Sequence, residues 1–388
     1  MRKSLLWLLL AVVPLLGGCW DAIEIENLKF IMVMGIDREP SGRVLVSLHA
    51  VNVEQLNVST ESSSSSGGEL PYYLTTVRGR SLYEAFHNYF TRKHGRRGHF
   101  SHLQAIILGE EFAKDSLPEC IDWLNREREL SVETEIFLAR GRAYDLMKVK
   151  PIQERVSGSF IEGLETETAN IGFVPTATVP ILLTAFTTPG REAIIPLLEK
   201  GKLDLLGQGE KNETLQLGGA GVFRGSKFCG WLTPNETRGY LWITGKPRDP
   251  LVIVGMDERK VAFDVQEIKR KIKPHISGNK VRISVEMEAR GEVAEIFGRG
   301  PHVDEAFFKE VGKRAADEIK QEIKNTIALA QRLGSDFIGF GEIVRGSTNN
   351  KKWKELDWRT QFPQVPVEVK VKGLVRRSGV AVEQLKAW

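Results

Sequence analysis

The hydrophobic pattern of the N-terminal half predicts a domain that mixes strands and helices. Leu28–Ile36 is a nearly continuous apolar run with the length of a buried strand, and Val44–Leu48 is its predicted partner across a turn. Ser81 and Glu84 have the spacing of a capping box, which opens a helix. Further predicted elements are strands at Tyr72–Val77, Leu103–Leu108 and Thr134–Ala139 and a helix at Leu117–Asn125.

The C-terminal half carries two strands with strict alternation of apolar and polar residues, at Val281–Ala289 and Val367–Lys372. Such alternation is typical of a strand with one buried and one wet face. Between them, apolar residues recur at every fourth position from about Val303 to Leu333, and Gly334 is placed as a C-cap. We therefore predict a long amphipathic helix packed on a mixed or antiparallel C-terminal sheet.

The N-terminus has the pattern of a bacterial lipoprotein signal. Arg2 and Lys3 precede the apolar run Leu5–Leu16, which is short for a membrane span. The run ends in Leu16-Gly17-Gly18-Cys19, which places an aliphatic residue, two small residues and a cysteine where lipoprotein modification requires them. We predict cleavage before Cys19 and attachment of a diacylglyceryl group to its thiol, which anchors the chain to the outer side of a membrane.

The fold class that we expect is α+β, in a multi-domain ectodomain. Residues 1–18 form the cleaved signal peptide and residues 19–190 an N-terminal α+β domain. Residues 191–215 mix proline, glycine and charged residues, which predicts a connecting segment. Residues 216–388 form a C-terminal α+β domain, with a further division near residue 250 as the alternative.

Composition excludes several classes of protein. The 388 residues are 41% hydrophobic and 27% charged, as in globular proteins, and no later stretch is long enough for a multi-pass membrane protein. Without Arg2 and Lys3, 52 basic residues stand against 50 acidic ones, which disfavours a nucleic-acid partner. Three cysteines exclude a disulfide scaffold, so we interpret Cys120 and Cys229 as buried small hydrophobic residues, with a disulfide between them as the alternative.

Candidate chemistry is sparse. The chain has no phosphate-binding loop, no dinucleotide fingerprint, no zinc-protease helix motif and no nucleophile elbow. Four of the seven histidines lie between His87 and His102, but Arg96 and Arg97 among them would repel a metal ion. The interpretation is a basic turn, with contact to lipid phosphates as the alternative. We expect no metal, no cofactor and no enzymatic activity.

Seven short blocks of sequence stand out along the chain after the signal peptide. They are Cys19-Trp20-Asp21, Phe100-Ser101-His102, Gly218–Phe223, Gly230-Trp231-Leu232, Glu236–Gly239, Phe340-Gly341 and Asp357-Trp358. In residues and in order, these blocks resemble the Ger(x)C family, the lipoprotein C subunits of the germinant receptors of endospore-forming bacteria. The resemblance covers essentially the whole chain after the signal peptide.

The resemblance implies a non-enzymatic subunit on the outer face of the spore inner membrane. It implies partners as well, namely a multi-pass A subunit and a transporter-like B subunit, and direct nutrient binding by this chain is not expected. An alternative from another class is the substrate-binding lipoprotein of a nutrient transporter. A cell-wall hydrolase is a weaker one, since no paired carboxylates stand out.

Seven residues form a candidate motif for the fold or for a partner interface. They are Gly230, Trp231, Glu236, Arg238, Gly239, Trp353 and Trp358. Tryptophan and arginine dominate interface hot spots, but they also pack ordinary turns, so both roles stay open. The local pattern predicts a turn at Thr233–Asn235 between strand-like flanks, with Glu236 and Arg238 as a structural ion pair.

Overall fold

The computed structural model of the chain describes residues 28–51, 72–92, 97–149, 174–203, 212–244, 250–256, 258–298 and 303–376. The predicted signal peptide, the predicted lipid-attachment residue Cys19 and the histidine at position 94 lie outside these residues. Within them the fold is α+β with two mixed sheets, which confirms the predicted fold class.

The first sheet has nine strands among the described residues. They are β1 (Leu28–Arg38), β2 (Val44–Val51), β3 (Tyr72–Gly79), β4 (Arg97–His99), β5 (Ala105–Gly109), β6 (Glu135–Ala139), β7 (Ile194–Leu203), β8 (Asn212–Arg224) and β9 (Lys227–Leu232). Their order is β3-β2-β1-β5-β6-β7-β8-β9, with β4 beside one end of β1. The central strands β1, β5, β6 and β7 are parallel, and the antiparallel pairs lie toward both edges.

Five helices among the described residues accompany this sheet. They are α1 (Leu82–Arg92), α2 (Glu110–Asp115), α3 (Leu117–Arg126), α4 (Ala143–Met147) and α5 (Val179–Thr187). Both faces of the sheet are covered, because Met34 and Ile36 of β1 belong to one core and Val33 to a second. Burial on both faces explains why β1 reads as a continuous apolar run. Asp37 at its end caps α4, accepting hydrogen bonds from the backbone N–H groups of Ala143 and Tyr144.

The second sheet and its helices follow. The strands are β10 (Leu251–Met256), β11 (Arg259–Ser277), β12 (Lys280–Phe297) and β13 (Val367–Val375), and the helices are α6 (Pro234–Thr244), α7 (Glu305–Leu333), α8 (Phe340–Gly346), α9 (Asn350–Leu356) and α10 (Trp358–Gln361), with a 3₁₀ turn at Phe362–Gln364. The strand order is β10-β11-β12-β13, in which only β13 runs parallel to its neighbour.

The long amphipathic helix is confirmed, two residues shorter at its start than predicted. Asp304 caps α7 by accepting the N–H of Phe307, and Gly334 ends it in the left-handed conformation at φ 62°. The helix passes directly over β13, where a Cβ on Gly312 would lie 2.8 Å from the carbonyl oxygen of Gly373. This close approach seats the apolar side of α7 on the sheet.

The structure corrects the secondary structure predicted for residues 191–215. Instead of an irregular connection, Ile194–Leu203 forms strand β7 between β6 and β8, and Leu197 and Leu198 are fully buried. The misleading signal was Pro196, which is tolerated because the pairing with β8 shifts between Pro196 and Leu198, as at a bulge. The division of the chain into domains stays a prediction.

Candidate functional site

The seven candidate residues fall into three places in the fold. Gly230 and Trp231 lie on β9 at the edge of the first sheet. Glu236, Arg238 and Gly239 lie on helix α6, which packs on α7. Trp353 lies on α9 and Trp358 begins α10, so the structure brings these two together and separates them from the other five.

Trp231 is half-buried against the first sheet. Its ring meets that of Phe228 edge-on at 4.8 Å between centroids, and the guanidinium carbon of Arg140 lies 5.4 Å from its centroid. A cation over an indole face is a favourable contact, and both partners belong to this chain. Gly221 on the neighbouring strand leaves room for the indole, because a Cβ there would lie 3.2 Å from Cζ3 of Trp231.

Helix α6 begins where the sequence predicted a turn followed by a strand, and that prediction was wrong. The hydroxyl of Thr233 accepts the N–H of Glu236, while the Glu236 carboxylate accepts the N–H of Thr233 at 2.8 Å. This reciprocal pair is a capping box, and Pro234 at the first helical position is compatible with it. The sequence therefore contained a helix start that the strand-like flanks obscured.

The predicted ion pair between Glu236 and Arg238 does not form. Residues two apart on a helix point to different sides, so the pair cannot meet once α6 is helical. Arg238 instead bonds the carboxylate of Glu322 on α7, with 2.9 Å between Nε and Oε2, and the two side chains are only 18% and 14% exposed. The indole of Trp242 donates to the same Oε2 at 2.8 Å. Glu322 and Trp242 were not singled out from the sequence.

Gly239 sets the distance between α6 and α7. A Cβ at this position would lie 2.5 Å from the carbonyl oxygen of Glu322 and closer still to the hydroxyl of Thr326. That hydroxyl donates to the carbonyl of Glu236 at 2.7 Å, so the two helices are also joined by a hydrogen bond. Only glycine fits where the two helices cross, so the role of Gly239 is in helix packing.

Trp353 and Trp358 form an aromatic pair around a buried acid. Their ring centroids are 6.4 Å apart. Trp358 is buried and donates its indole N–H to Asp336, at 2.8 Å, whereas Trp353 is half-buried. Three backbone N–H groups also donate to the Asp336 carboxylate, from Gly339, Phe340 and Gly341. Burial nevertheless raises the pKa of Asp336 to about 6, although these four donors lower it.

A cleft of about 350 Å³ lies beside this pair. One wall is the end of α5 with the following turn, including Phe186 and Pro189, and the other wall carries Trp353, Trp358 and Phe362. Two ion pairs lie at its rim, Arg359–Glu192 at 3.0 Å and Arg191–Glu342 at 2.8 Å.

Backbone contacts of Gly190, in the turn after α5, hold the first wall of this cleft in place. Gly190 has φ 92°, and a Cβ on it would lie 2.5 Å from the carbonyl carbon of Gly341. The N–H of Glu342 donates to the carbonyl of Gly190 at 2.9 Å. The chain therefore passes from α5 into β7 in direct contact with the start of α8, and this contact positions both walls of the cleft.

The cysteines and histidines behave as structural residues where they are described. Cys120 is buried, and burial raises its pKa to about 12, while Cys229 is only half-buried; neither is in a disulfide. His99 lies 3.3 Å from the carboxylate of Glu129 and contacts the hydroxyl of Ser101.

In the ranges that the structure covers, no group of three histidine, cysteine or acidic side chains is arranged to hold a metal. In the same ranges no helix is both long and apolar enough to cross a bilayer.

Comparison with known proteins gives matches over most of the chain. Residues 21–200 match the family model described as spore germination protein N-terminal domain, and residues 218–379 match spore germination B3/GerAC like, C-terminal. Spore germination protein KC of Bacillus subtilis (strain 168) is 24% identical over 99% of this chain and 98% of its own length. Spore germination protein B3 of the same organism is 26% identical over 89% of this chain and 91% of its own length.

Among solved structures, the GerBC protein has a similar fold. The TM-score is 0.56 at 14% sequence identity, covering 89% of this chain and 97% of that chain. The fold, the two family models and the relatives agree with the blocks seen in the sequence from Cys19-Trp20-Asp21 to Asp357-Trp358. The chain belongs to the Ger(x)C family of spore germination proteins.

Proposed function

We propose that this chain is the lipid-anchored, non-enzymatic subunit of a nutrient germinant receptor. The proposal rests on the match to spore germination proteins, which extends along nearly the full length of this chain and of its relative spore germination protein KC. The lipoprotein signal ending in Cys19 supports attachment to the outer face of the spore inner membrane through a diacylglyceryl group. In this role the chain assembles with integral-membrane A and B subunits and contributes no chemistry of its own.

The contacts of the candidate residues distinguish those that stabilise the fold from the one that we assign to a partner protein. Gly239 and Arg238 are committed to the α6–α7 crossing, and Trp358 is committed to Asp336. Trp353 is the member of the set that is half-buried at a cleft and has its ring available to a second protein. We therefore assign the partner contact to Trp353 and the fold-defining role to the others.

Deletion of the gene tests the function. Sporulation should proceed normally, and the spores should lose their response to one set of nutrients, with the response restored by the intact gene. Normal nutrient germination in a strain that lacks this gene and all of its paralogues would contradict the proposal.

Cross-linking in isolated spore membranes tests the assembly. We expect the wild-type chain to be recovered attached to multi-pass membrane proteins, and Trp353→Ala to lower that yield while its circular dichroism stays unchanged. Tyr83→Ala is the matched control, because Tyr83 is an aromatic residue on α1 that is 79% exposed and lies outside the cleft. An equal loss of cross-links in both variants would remove the assignment of Trp353.

The transporter-lipoprotein alternative makes a different prediction. It requires tight binding of a small nutrient by the ectodomain alone. Calorimetry of the purified protein against amino acids and sugars distinguishes the two functions. A germinant-receptor subunit is expected to give no heat of binding with amino acids or with sugars. Micromolar binding of one of these nutrients would favour the alternative.

A further inference from the structure

A groove of about 860 Å³ lies at the free end of the β11–β12 hairpin. The pairing of β12 with β13 begins at Ile283 opposite Val367, so the hairpin extends beyond β13. Residues 360–366, which run from α10 into β13, form the opposite wall. The groove therefore lies where the β11–β12 hairpin extends past the start of β13.

Three hydrogen bonds hold the walls of the groove in place. The ammonium group of Lys352 donates to the side-chain oxygen of Asn279 at the hairpin tip, at 2.7 Å. The N–H of Ile283 donates to the carbonyl of Pro366 at 2.9 Å, and the side chain of Gln331 donates to the carbonyl of Val365 at 2.7 Å. Both walls are thus fixed before any ligand arrives, which lowers the entropic cost of binding.

The groove carries uncompensated positive charge. His275 and Arg282 lie directly opposite each other on β11 and β12, and Lys280 is two residues from Arg282 on the same face. Lys280 and Arg282 are exposed, and no acidic side chain of the described residues forms an ion pair with either. The acid in the lining, Glu368, is already paired with Lys370 at 2.9 Å. That lysine, with smaller contributions from Arg282 and His275, holds the pKa of Glu368 below its ordinary value.

The remaining lining groups are suited to a small organic molecule. Val281 and Val365 provide a buried apolar floor, while Thr360, Gln361 and Gln364 present hydroxyl and amide groups. A volume of this size falls within the range of roughly 300–1,000 Å³ that is typical of small-molecule sites. None of the large exposed apolar side chains of the described residues lies in the groove, so its lining lacks what inserts into a lipid bilayer.

We propose that this groove binds a small soluble organic anion that carries a carboxylate or phosphate group. The anionic group lies between Arg282 and Lys280, because a guanidinium can bind either group through two parallel hydrogen bonds. His275 and the amide of Gln364 contact its polar substituents, and the carbon skeleton rests on Val281 and Val365. The site is independent of the receptor assignment, and it does not require the ligand to be a nutrient.

Calorimetry on the full mature chain in detergent micelles tests the site. The probes are citrate, glycerol 3-phosphate and inorganic phosphate, and at least one organic probe should bind with a Kd of about 100 μM or tighter. Arg282→Gln and Lys280→Gln should each weaken that binding about tenfold or more, as expected for loss of a charge-assisted hydrogen bond. Both side chains are exposed, so the variants should keep the wild-type circular dichroism spectrum.

Lys271→Gln is the matched control. Lys271 is an exposed lysine of β11 opposite Glu286, and it lies outside the groove lining. This substitution removes one positive charge from the neighbouring strand of the same hairpin and should leave the Kd within about twofold of wild type. An equal loss in the control would show that the probes respond to overall charge and would overturn the site.

Two further outcomes would also overturn the proposal. The first is no binding of any probe up to about 10 mM. The second is Arg282-dependent binding to phosphatidylglycerol vesicles without binding of the soluble anions, which would make the surface a lipid contact instead. A loss of nutrient germination has no bearing on either result, so the failure of this site and the failure of the receptor assignment are distinguishable.

Discussion

Trp358 donates its indole N–H to the carboxylate of Asp336, with 2.8 Å between Nε1 and Oδ2. Both residues are buried, and they belong to segments separated by helices α8 and α9. The hydrogen bond therefore fixes the start of α10 to the loop that follows α7. This joint also forms one wall of the cleft beside Trp353.

Trp358→Phe should lower the free energy of unfolding by about 1–3 kcal/mol, because it removes one hydrogen bond to a buried acid and leaves space beside it. Trp353→Phe is the control, since Trp353 is half-buried and its indole N–H has no hydrogen bond to a described residue. Its effect should stay below about 1 kcal/mol. Urea denaturation followed by far-ultraviolet circular dichroism measures both, and equal effects would contradict the role of the Asp336 bond.

Asp336 should make stability depend on pH in the acidic range. Its pKa is raised from 3.8 to about 6 in the folded chain, chiefly by burial. Between these values the folded state binds more protons than the unfolded state, so the contribution of Asp336 is greatest below pH 3.8 and is lost as the pH rises through 6. The magnitude is about 3 kcal/mol for a shift of this size.

Asp336→Asn provides the comparison for that effect. The free energy of unfolding of the wild type minus that of the variant should fall between pH 4 and pH 6.5, measured in urea at fixed ionic strength. A difference that is flat over this window would mean that the four hydrogen-bond donors keep the carboxylate ionised in the folded chain.

Gly239→Ala should destabilise the protein by about 1–3 kcal/mol, as is usual for overpacking. The new Cβ would press on the carbonyl of Glu322 and on the hydroxyl of Thr326, forcing α6 away from α7. Gly346→Ala is the matched control, because nothing lies within 4 Å of a Cβ there. Thermal unfolding should show a lower Tm for the first variant only. A wild-type Tm for Gly239→Ala would mean that the helix crossing tolerates a larger separation.

Glu322→Gln should cost about 3 kcal/mol, because it leaves the largely buried guanidinium of Arg238 without a counter-charge. Glu318→Gln, one turn earlier on α7 and exposed, should have almost no effect. The double variant Arg238→Met with Glu322→Leu should recover part of the loss, since apolar pairs often replace buried ion pairs without penalty. Chemical denaturation of these variants, together with the single variants Arg238→Met and Glu322→Leu, gives the comparison, and additive losses in the double variant would exclude coupling.

The sequence predicted those elements whose pattern is regular over many residues. Helix α7 has an apolar residue at every fourth position from Phe307 to Ile327, which is about six turns. Strand β12 alternates without a break, so one misread position would not change either prediction. Helix α6 was misread because its apolar residues Leu241, Trp242 and Ile243 are consecutive and buried together, which is the pattern of a strand. The capping box from Thr233 to Glu236 was the better signal.

The candidate site shows a second limit of sequence reasoning. Trp358 could be chosen from its residue type, but its partner Asp336 could not, because a lone aspartate in a short loop has no periodic neighbours. The signal that was available is the glycine spacing after it, at Gly339 and Gly341, which frees backbone N–H groups to converge on a carboxylate. Glu322 was hidden in a different way, as one of many acidic residues on α7, and only the approach of α6 distinguishes it.

Cys19 is the proposed lipid-attachment residue. Only Trp20 to Asn27 separates it from the first residue of β1, so an acyl anchor would hold the folded part close to the bilayer. A short tether raises the effective concentration of membrane partners to roughly millimolar, which replaces a three-dimensional search by a local one. Loss of the anchor should therefore weaken assembly by a large factor without changing the fold.

Cys19→Ala should give a folded but unlipidated chain that is largely absent from the spore inner membrane, with nutrient germination slowed or lost. Metabolic labelling with a fatty-acid analogue is the direct measurement, and Cys229→Ala serves as the control that must keep its label. Label retained on Cys19→Ala would disprove the anchor. Wild-type germination after complete loss of label would show instead that contacts with the integral-membrane subunits suffice for assembly, because the local concentration supplied by two acyl chains would then be dispensable.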